Sequence, residues 1–419
     1  MSVNRSTGPP PAKADSAPPP TGVLVFAHTP PPHHGQSVMV AYMLDQLRTH
    51  PNATTPADPA DARRLRVFHV NARLSREIDD VGRSRPGKLP VLLGHVLQAL
   101  WWRCRHAIRV FYYVPAPPAR TPLWRDWIVL ALCRPFFART VFHWHAGGLS
   151  EWLETQARPW ERWLSQRLLG QPHLSIVLRP FHRRDADYLR SRRVAVVANG
   201  LSDPCPDFDQ HTLPLRRQAA ARRRAALAQG EGAEPVVFRA LFLSVCRREK
   251  GLFEALDAVA EANAALRHTP LRVELTVAGS FASPADQAAF ERRVRAPDLT
   301  RDTPLVHYAG FVRGDAKTRL LTESDCLCFP TWLPEGFPLT LLEAMAYGLP
   351  VLCSDFRALP EILPPGYPGI VPVRDPSALA AKLVAFTGSD YDPSLRRWYA
   401  ERYSAARFAA EMRAALLSV

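Results

Sequence analysis

The sequence predicts an α/β protein in which two doubly wound, Rossmann-like domains face each other across a cleft. Short apolar runs alternate with helical stretches along the chain, a pattern typical of parallel sheets. The length of 419 residues is enough for two or three domains, each with its own core. A stretch at 204–235, rich in polar residues and proline, separates two such alternating blocks and is expected to be a linker with a short basic helix.

Each block contains six candidate strands. In the first block, residues 21–203, these are Val23–Ala27, Arg66–Val70, Ala107–Val114, Thr140–Trp144, Leu174–Leu178 and Val194–Ala198. In the second block, residues 236–392, they are Ala240–Val245, Arg272–Ala278, Pro304–Tyr308, Cys326–Phe329, Val351–Cys353 and Ile370–Val373. The remaining residues, 393–419, are expected to be helical. The alternation in both blocks favours a ligand site at the carboxyl ends of the strands, where open α/β sheets bind their ligands.

The composition favours a cytoplasmic globular protein. Residues 1–20 are rich in proline and lack the apolar core of a signal peptide, so we expect a disordered tail there. No run of about 18 apolar residues follows, which predicts no membrane-spanning helix. The seven cysteines are an odd number scattered over the chain, as in proteins of reducing compartments.

Positive charge is concentrated in the first half of the chain. Residues 1–200 contain 27 Lys and Arg against 13 Asp and Glu, whereas residues 201–419 contain 26 of each kind. The chain contains 48 Arg and only 5 Lys, and a GC-rich genome is an alternative explanation for this preference for Arg. Such a bias does not explain why the first half of the chain is basic and the second half is neutral. A basic domain attracts anionic lipids, lipid-linked diphosphates or nucleic acid. We expect an anionic membrane surface among its partners and no nucleic acid, because no known nucleic-acid motif is present.

The segment from Phe329 to Asp355 carries the most chemical information. It is predicted to be a strand end, a loop with one carboxylate, and a helix that begins at Pro338 and carries a second carboxylate. The backbone N–H groups of 336–339 would then be unpaired donors at the positive end of a helix dipole, which binds anions. Glu335 and Glu343 would repel a phosphate, but they suit hydroxyl groups on either side of it. The segment therefore predicts a nucleotide-sugar site, the alternative being a solvated pair of glutamates.

The same segment resembles a known family. It contains Phe329-Pro-Thr, Glu335-Gly-Phe-Pro and Glu343-Ala-Met-Ala-Tyr-Gly-Leu-Pro-Val, which are similar to the Glu-x7-Glu motif of the retaining glycosyltransferases of family 4. That resemblance implies the GT-B fold, with the acceptor bound by the N-terminal domain and a nucleoside-diphosphate sugar bound by the C-terminal domain. It also implies that 393–419 is a helix that crosses back to the first domain. Glu343 would hold the ribose hydroxyls and Glu335 a hydroxyl of the donor sugar.

Two motifs of the first block match the family in order. The loop after the first strand, with Gly35 and Ser37, corresponds to a loop that packs against the donor diphosphate and the acceptor. The run Val141-Phe-His-Trp-His145-Ala-Gly-Gly148 places a histidine at the end of a strand. In the family this histidine lies beside the donor sugar, which implies a catalytic role for His145. The alternatives are structural histidines or a His-x-His metal pair.

A basic loop follows the first strand of the second block. Lys250 matches the family lysine that neutralises the donor phosphates, but the usual upstream Gly-Arg pair is replaced by Ser244 and Val245. Arg247 or Arg248 is the candidate replacement for that arginine, although a solvated basic loop is an alternative. The resemblance therefore implies a donor site formed by Lys250, Arg247, Gly336, Phe337, Pro338, Leu339 and Glu343.

No cofactor or metal is expected besides the nucleotide-sugar co-substrate, since fixed positive charge would stabilise the leaving diphosphate. With no side chain placed as a base, a departing phosphate oxygen is the expected base. The segment 89–105 ends in paired tryptophans and arginines, which suits either a membrane interface or a core helix. The acceptor is expected to be lipid-linked or a saccharide, in cell-surface polysaccharide synthesis. Two alternatives remain: a sugar-nucleotide epimerase, and a degenerate, non-catalytic membrane-binding scaffold.

Overall fold

A computed structural model describes residues 21–31, 35–49, 65–74, 87–230, 233–300 and 303–419. The predicted tail, residues 1–20, lies outside these ranges. The described residues form twelve strands: β1 Thr21–Ala27, β2 Leu65–Asn71, β3 Val110–Tyr113, β4 Arg139–Trp144, β5 Leu174–Val177, β6 Val194–Val196, β7 Val236–Leu243, β8 Leu271–Ala278, β9 Val306–Gly310, β10 Cys326–Phe329, β11 Val351–Ser354 and β12 Ile370–Val371.

The strands make two parallel six-stranded sheets. Their orders are β2-β1-β3-β4-β5-β6 and β9-β8-β7-β10-β11-β12. The second is the strand order of dinucleotide-binding folds, and the first begins like that of flavodoxin. The order reverses between β1 and β3 in the first sheet and between β7 and β10 in the second. The prediction of two doubly wound domains is thus confirmed.

Fifteen α-helices connect the strands in the described part of the chain. They are α1 Gly35–Thr49, α2 Lys88–His106, α3 Arg120–Cys133, α4 Leu149–Thr155, α5 Pro159–Leu169, α6 Arg183–Tyr188, α7 Leu213–Gln229, α8 Leu252–Ala265, α9 Pro284–Val294, α10 Pro297–Thr300, α11 Asp315–Glu323, α12 Leu339–Ala346, α13 Pro376–Gly388, α14 Ser394–Arg402 and α15 Ala405–Leu417. In the described residues, no helix is both long and apolar enough to cross a membrane.

Both faces of each sheet are covered, so several strands are buried along their whole length. Every residue of β3, β5, β10 and β11 is buried. Cys326 and Cys328 are fully buried on β10, which explains their alternation in the sequence. All seven cysteines are free thiols.

Two segments outside the sheets pack closely on them. Helix α7 lies in the stretch predicted as a linker, and its buried Arg216 donates to the backbone carbonyls of Leu321, Ser324 and Tyr347 in the second domain. At the other end of the chain, α15 packs against α1, and its Phe408, Met412 and Leu416 enter the core of the first domain. The chain therefore returns from the second domain to the first.

Candidate functional site

The candidate site lies where the strand order of the second sheet reverses. A short helical turn, Arg248–Lys250, follows β7, and the loop from Pro330 to Pro338 follows β10. The backbone of Glu249 joins the two loops, because its carbonyl oxygen accepts the N–H groups of Trp332 and Leu333, both at 2.9 Å. Such switch points form a crevice at the carboxyl ends of the strands, where α/β sheets bind ligands.

Gly251 allows these loops to approach. Its φ is +80°, a left-handed conformation that favours glycine, and a Cβ built on it would lie 2.2 Å from the carbonyl oxygen of Pro330. Any side chain at this position would push the two loops apart. In the sequence, the cation Lys250 is thus followed by the glycine that allows Lys250 to face the loop from Pro330 to Pro338.

Lys250 and Glu335 form an ion pair between the two loops. Both side chains are only 14% exposed, and the ammonium group of Lys250 also lies 5.8 Å from the centre of the Phe329 ring. A charge pair with this little solvent is screened far less than a surface pair. The structure therefore brings together the candidate phosphate-binding cation and the candidate sugar-binding carboxylate.

Helix α12 begins one residue later than the sequence predicted. Its first residue is Leu339, and Pro338 precedes the helix with an extended backbone. Proline suits this position too, because the helix does not need its missing N–H. The first N–H groups of α12 have no acceptor within the helix, and anion binding at this end stays a prediction.

Glu343 has a partner that the sequence analysis missed. The Lys317 Nζ atom on α11 lies 2.6 Å from Glu343 Oε1, and both side chains are partly exposed. Lys317 is 26 residues away in sequence and belongs to none of the motifs that predicted the site. The sequence offered one sign of its importance: Lys317 is one of only five lysines in an arginine-rich chain.

The two candidate replacement arginines are both engaged. Arg247 Nε lies 2.7 Å from Glu249 Oε2, and hydrogen bonding to that carboxylate raises the pKa of Arg247. The guanidinium group of Arg248 lies over the Phe253 ring at 4.7 Å. Neither arginine forms part of the Lys250–Glu335 pair, so their role toward a diphosphate stays a prediction.

The first domain contributes its histidine directly opposite this loop. His145 follows the last residue of β4, and a Cβ built on Gly336 would lie 1.9 Å from the His145 carbonyl oxygen. The backbones of the two domains are therefore in contact at this point. His143 instead lies within the strand, where it bonds to the Tyr112 hydroxyl, and burial lowers its pKa well below the ordinary value.

Asp185 holds the loop after His145 in place. Its buried carboxylate accepts the N–H groups of Gly148 and Ser150, each at 2.8 Å, and the Ser150 hydroxyl at 2.7 Å. Nearby, the His182 ring bonds to the backbone of Glu335 in the other domain, and burial lowers the pKa of His182. A cavity of about 210 Å³ opens here, with polar walls that include Glu151, Glu154 and Arg357.

A second interdomain contact was also missed by the sequence analysis. The guanidinium group of Arg179, just after β5, lies 4.5 Å from the centre of the Phe337 ring and 5.0 Å from that of Tyr403. Arg179 also donates to the Tyr403 hydroxyl. Farther out, Arg357 Nη2 lies 3.0 Å from Glu151 Oε2. These contacts hold the loop of α12 against the first domain.

The remaining predicted residues lie at the start of α1. Gly35 is its first residue and is exposed, with nothing within 4 Å of a Cβ built on it. Ser37 is fully buried. In the described ranges, no group of three or more His, Cys, Asp or Glu residues is arranged to hold a metal ion. The expected independence from metal stays a prediction.

Comparison with known proteins supports this description of the second domain. Residues 238–388 match the family model described as Glycosyl transferases group 1. The chain is 38% identical over 102 residues to the phosphatidyl-myo-inositol mannosyltransferase of Mycobacterium leprae, and 34% identical over 93 residues to the amylovoran biosynthesis glycosyltransferase AmsK of Erwinia amylovora. These matches span 24% and 21% of this chain and 25% and 23% of the relatives. The chain thus matches about a quarter of each relative's length.

Solved structures resemble nearly the whole chain. The crystal structure of HepE from Anabaena in complex with UDP-glucose superposes with a TM-score of 0.61 and 16% identity, covering 95% of this chain and all of that one. Sucrose-phosphate synthase from Thermosynechococcus elongatus gives a TM-score of 0.60 at 16% identity, covering 94% of this chain and 97% of that one. The chain therefore has the GT-B fold, and its residues 238–388 match the Glycosyl transferases group 1 family.

Proposed function

We propose that this protein is a retaining glycosyltransferase that moves a sugar from a nucleoside-diphosphate sugar to a lipid-linked or saccharide acceptor. The observation that carries the proposal is the partly buried Lys250–Glu335 pair before α12, with the neighbouring Gly336 against the His145 carbonyl oxygen of the first domain. HepE, which shares this fold, was crystallised with UDP-glucose. The relatives of the second domain make glycolipids or polysaccharides, according to their names.

The diphosphate would bind where positive charge is already fixed. Lys250 and the N–H groups at the start of α12 would face the phosphates, as a preorganised field that stabilises charge on the leaving group. A diphosphate that takes over Lys250 would release Glu335 from its ion pair. Glu335 would then be free to accept a hydroxyl of the donor sugar.

Glu343 would bind the ribose while keeping its own ion pair. Its carboxylate is held by Lys317 at 2.6 Å, and both side chains are partly exposed. Ribose hydroxyls would donate to the second carboxylate oxygen while the ion pair holds the first. Lys317 would thereby position Glu343 and add a further cation near the diphosphate.

The His145 carbonyl oxygen would face the anomeric carbon of the donor sugar, with the acceptor attacking from the side that the diphosphate leaves. A departing phosphate oxygen would take the acceptor proton, and no metal would be needed. For the sugar to occupy this place, the contact between Gly336 and His145 would open and close again around it. Closure over the donor would exclude water and limit hydrolysis.

The basic first domain suits a protein that works in the cytoplasm, at an anionic membrane surface, in cell-surface polysaccharide synthesis. An excess of Lys and Arg over Asp and Glu in residues 1–200 contrasts with the neutral remainder of the chain. A lipid-linked diphosphate acceptor would be attracted to such a surface.

The test is a transfer assay with a panel of nucleoside-diphosphate sugars. The acceptors are soluble monosaccharides and a polyprenyl-diphosphate-linked monosaccharide. We expect one donor to release free nucleoside diphosphate only when an acceptor is present, with proton NMR showing that the product keeps the donor's anomeric configuration. Conversion of a nucleotide sugar to its epimer without acceptor would indicate an epimerase. Inverted product would refute the retaining mechanism, and absence of both donor binding and turnover would favour the scaffold.

A further inference from the structure

Helices α2, α3 and α5 form one layer on the first sheet, which we call the tryptophan face. Helix α2 packs on α3, and α3 packs on α5. The Trp127 Nε1 atom of α3 donates to Ser165 Oγ of α5 at 3.0 Å. The inner sides of all three helices enter the same hydrophobic core, so their outer sides share one surface of the first domain.

The outer side of this layer carries large apolar side chains in contact with solvent. On α2, Leu97 is 67% exposed and Trp101 is 59% exposed. Trp124 of α3 is 52% exposed, and on α5 Trp160 and Trp163 are 44% and 65% exposed. The rings of Trp124 and Trp160 are 6.0 Å apart, so the surface is continuous from α3 to α5. Single exposed apolar residues are ordinary, but a grouped patch marks an interaction site.

The three helices themselves present no exposed carboxylate. The three helices contain two acidic residues, Asp126 and Glu161, and both side chains are almost completely buried. Arg125 Nη2 lies 2.9 Å from the Asp126 carboxylate, and Arg120 Nε lies 3.1 Å from that of Glu161. Of the cations on these helices, Arg120 and Arg125 are thus neutralised, whereas Arg103, Arg105, Arg162 and Arg167 have no partner carboxylate on the three helices. The surface is therefore both apolar and basic.

We propose that the tryptophan face docks on the surface of a bilayer that contains anionic phospholipids. Tryptophan is enriched at the level of lipid headgroups, where its ring is buried and its N–H stays hydrated. Arginines extend to the phosphates while their stems cover apolar surface. Leu93 and Leu97 add aliphatic side chains that suit acyl chains better than stacked nucleobases. A second copy of the chain is a poorer partner, since a two-fold interface would bring these arginines against their own copies.

The docked orientation would bring a lipid-linked acceptor to the cleft. Trp124 and Trp160 lie in the first two turns of α3 and α5, which begin at the carboxyl edge of the first sheet. The polar cavity beside the cleft is lined by Ser150, Glu151 and Glu154 of α4, the helix immediately before α5. This inference rests on the proposed function for the nature of the acceptor, but membrane docking itself is measured independently.

The experiment is flotation of the full chain with vesicles of phosphatidylcholine, alone or mixed equally with phosphatidylglycerol. We expect binding to the mixed vesicles to be at least about tenfold tighter than to the neutral ones. The double variant Trp101→Ser, Trp163→Ser and the single variant Arg105→Glu should each weaken binding by about tenfold. The matched controls, Leu215→Ser and Arg222→Glu on exposed positions of α7, should float like the wild type.

The docking surface would be overturned if wild type bound neither kind of vesicle, or if the face variants and the controls bound equally. It would also be overturned if the chain bound a single-stranded oligonucleotide more tightly than vesicles, or if it self-associated and the tryptophan changes abolished that self-association. Nucleotide-diphosphate binding is measured on the same variants and should be unchanged, which shows that they are folded. If the wild type floats but binds no nucleotide, the proposed function fails and the docking surface stands. If the wild type binds nucleotide but does not float, the docking surface fails and the proposed function stands.

Discussion

Gly336 occupies the point where the backbones of the two domains meet. Its place opposite the His145 carbonyl leaves no room for a Cβ, which would lie 1.9 Å from the oxygen. The requirement for glycine here is thus one of space, since only a domain displacement of about 1 Å or more would admit a methyl group. Glycine at this position makes the closed arrangement of the cleft accessible.

Replacing Gly336 by alanine should therefore block complete closure. We expect turnover to fall about 100-fold, because misplacement of reacting groups by about 1 Å costs that much, with little change in the thermal unfolding midpoint. The control is Gly94→Ala on the exposed side of α2, where a Cβ meets nothing within 4 Å. Steady-state kinetics at saturating donor measure the effect. Turnover within twofold of wild type would show that the contact between Gly336 and His145 is not used in catalysis.

At the scale of elements, the loop before α12 is held by the first domain as well as by its own sheet. Arg179 lies over the rings of Phe337 and Tyr403, which contact each other with centroids 5.7 Å apart. Tyr403 also donates to the Ile362 carbonyl oxygen at 2.8 Å. Burial lowers the pKa of Arg179, with Tyr403 partly opposing that effect. Arg179, Phe337 and Tyr403 thus form a clamp that joins the end of β5, the loop before α12 and the segment before α15.

The substitution Arg179→Met removes the charge of this clamp and should loosen the loop before α12. We expect a loss of about 2 kcal/mol in unfolding free energy, from a desolvated cation–π contact and a charged hydrogen bond. The donor KM should rise with it, and the radius of gyration from small-angle scattering should increase. The matched control is Arg184→Met, which removes a cation–π contact from an exposed arginine 5.0 Å from the Phe181 ring. Equal effects of the two changes would contradict the clamp.

The strands were predictable from sequence because parallel sheets leave a simple signature. All twelve predicted runs overlap observed strands, since buried strands such as Cys326–Phe329 are apolar at every position. The start of α12 was missed by one residue, because proline is compatible with both positions. The partners of Glu343 and Phe337 were not predictable, since Lys317 and Arg179 reach them through the packing of distant elements. No local pattern encodes such contacts.

At the scale of the whole molecule, four histidines link stability to pH. Burial is the main cause that lowers the pKa of His69, His143, His173 and His182 below the ordinary value of 6.5. Each ring is neutral in the folded protein at a pH where it would be protonated in the unfolded chain. Unfolding therefore binds protons, and stability falls as the pH drops through 6.5.

The unfolding temperature should accordingly be constant from pH 8 to pH 7 and decrease between pH 6.5 and pH 5. The variant His143→Gln, which removes the fully buried ring, should be less stable at neutral pH and show a shallower decrease. Differential scanning fluorimetry across this range measures both. A flat profile, or one that rises on acidification, would contradict the burial of these rings in the neutral form.

Lys250, Glu343 and the start of α12 form the site that we propose for a nucleoside diphosphate. The most direct measurement is thermal stabilisation by a panel of nucleoside diphosphates and their sugars, for wild type, Lys250→Ala, Glu343→Ala and the control Lys382→Ala. We predict that the nucleotides of one base stabilise wild type and the control by about 2.7 kcal/mol at a ligand concentration of about a hundred times Kd. Neither Lys250→Ala nor Glu343→Ala should be stabilised by them. No shift for wild type with any nucleotide at millimolar concentration, or an equal shift in all four proteins, would contradict the claim.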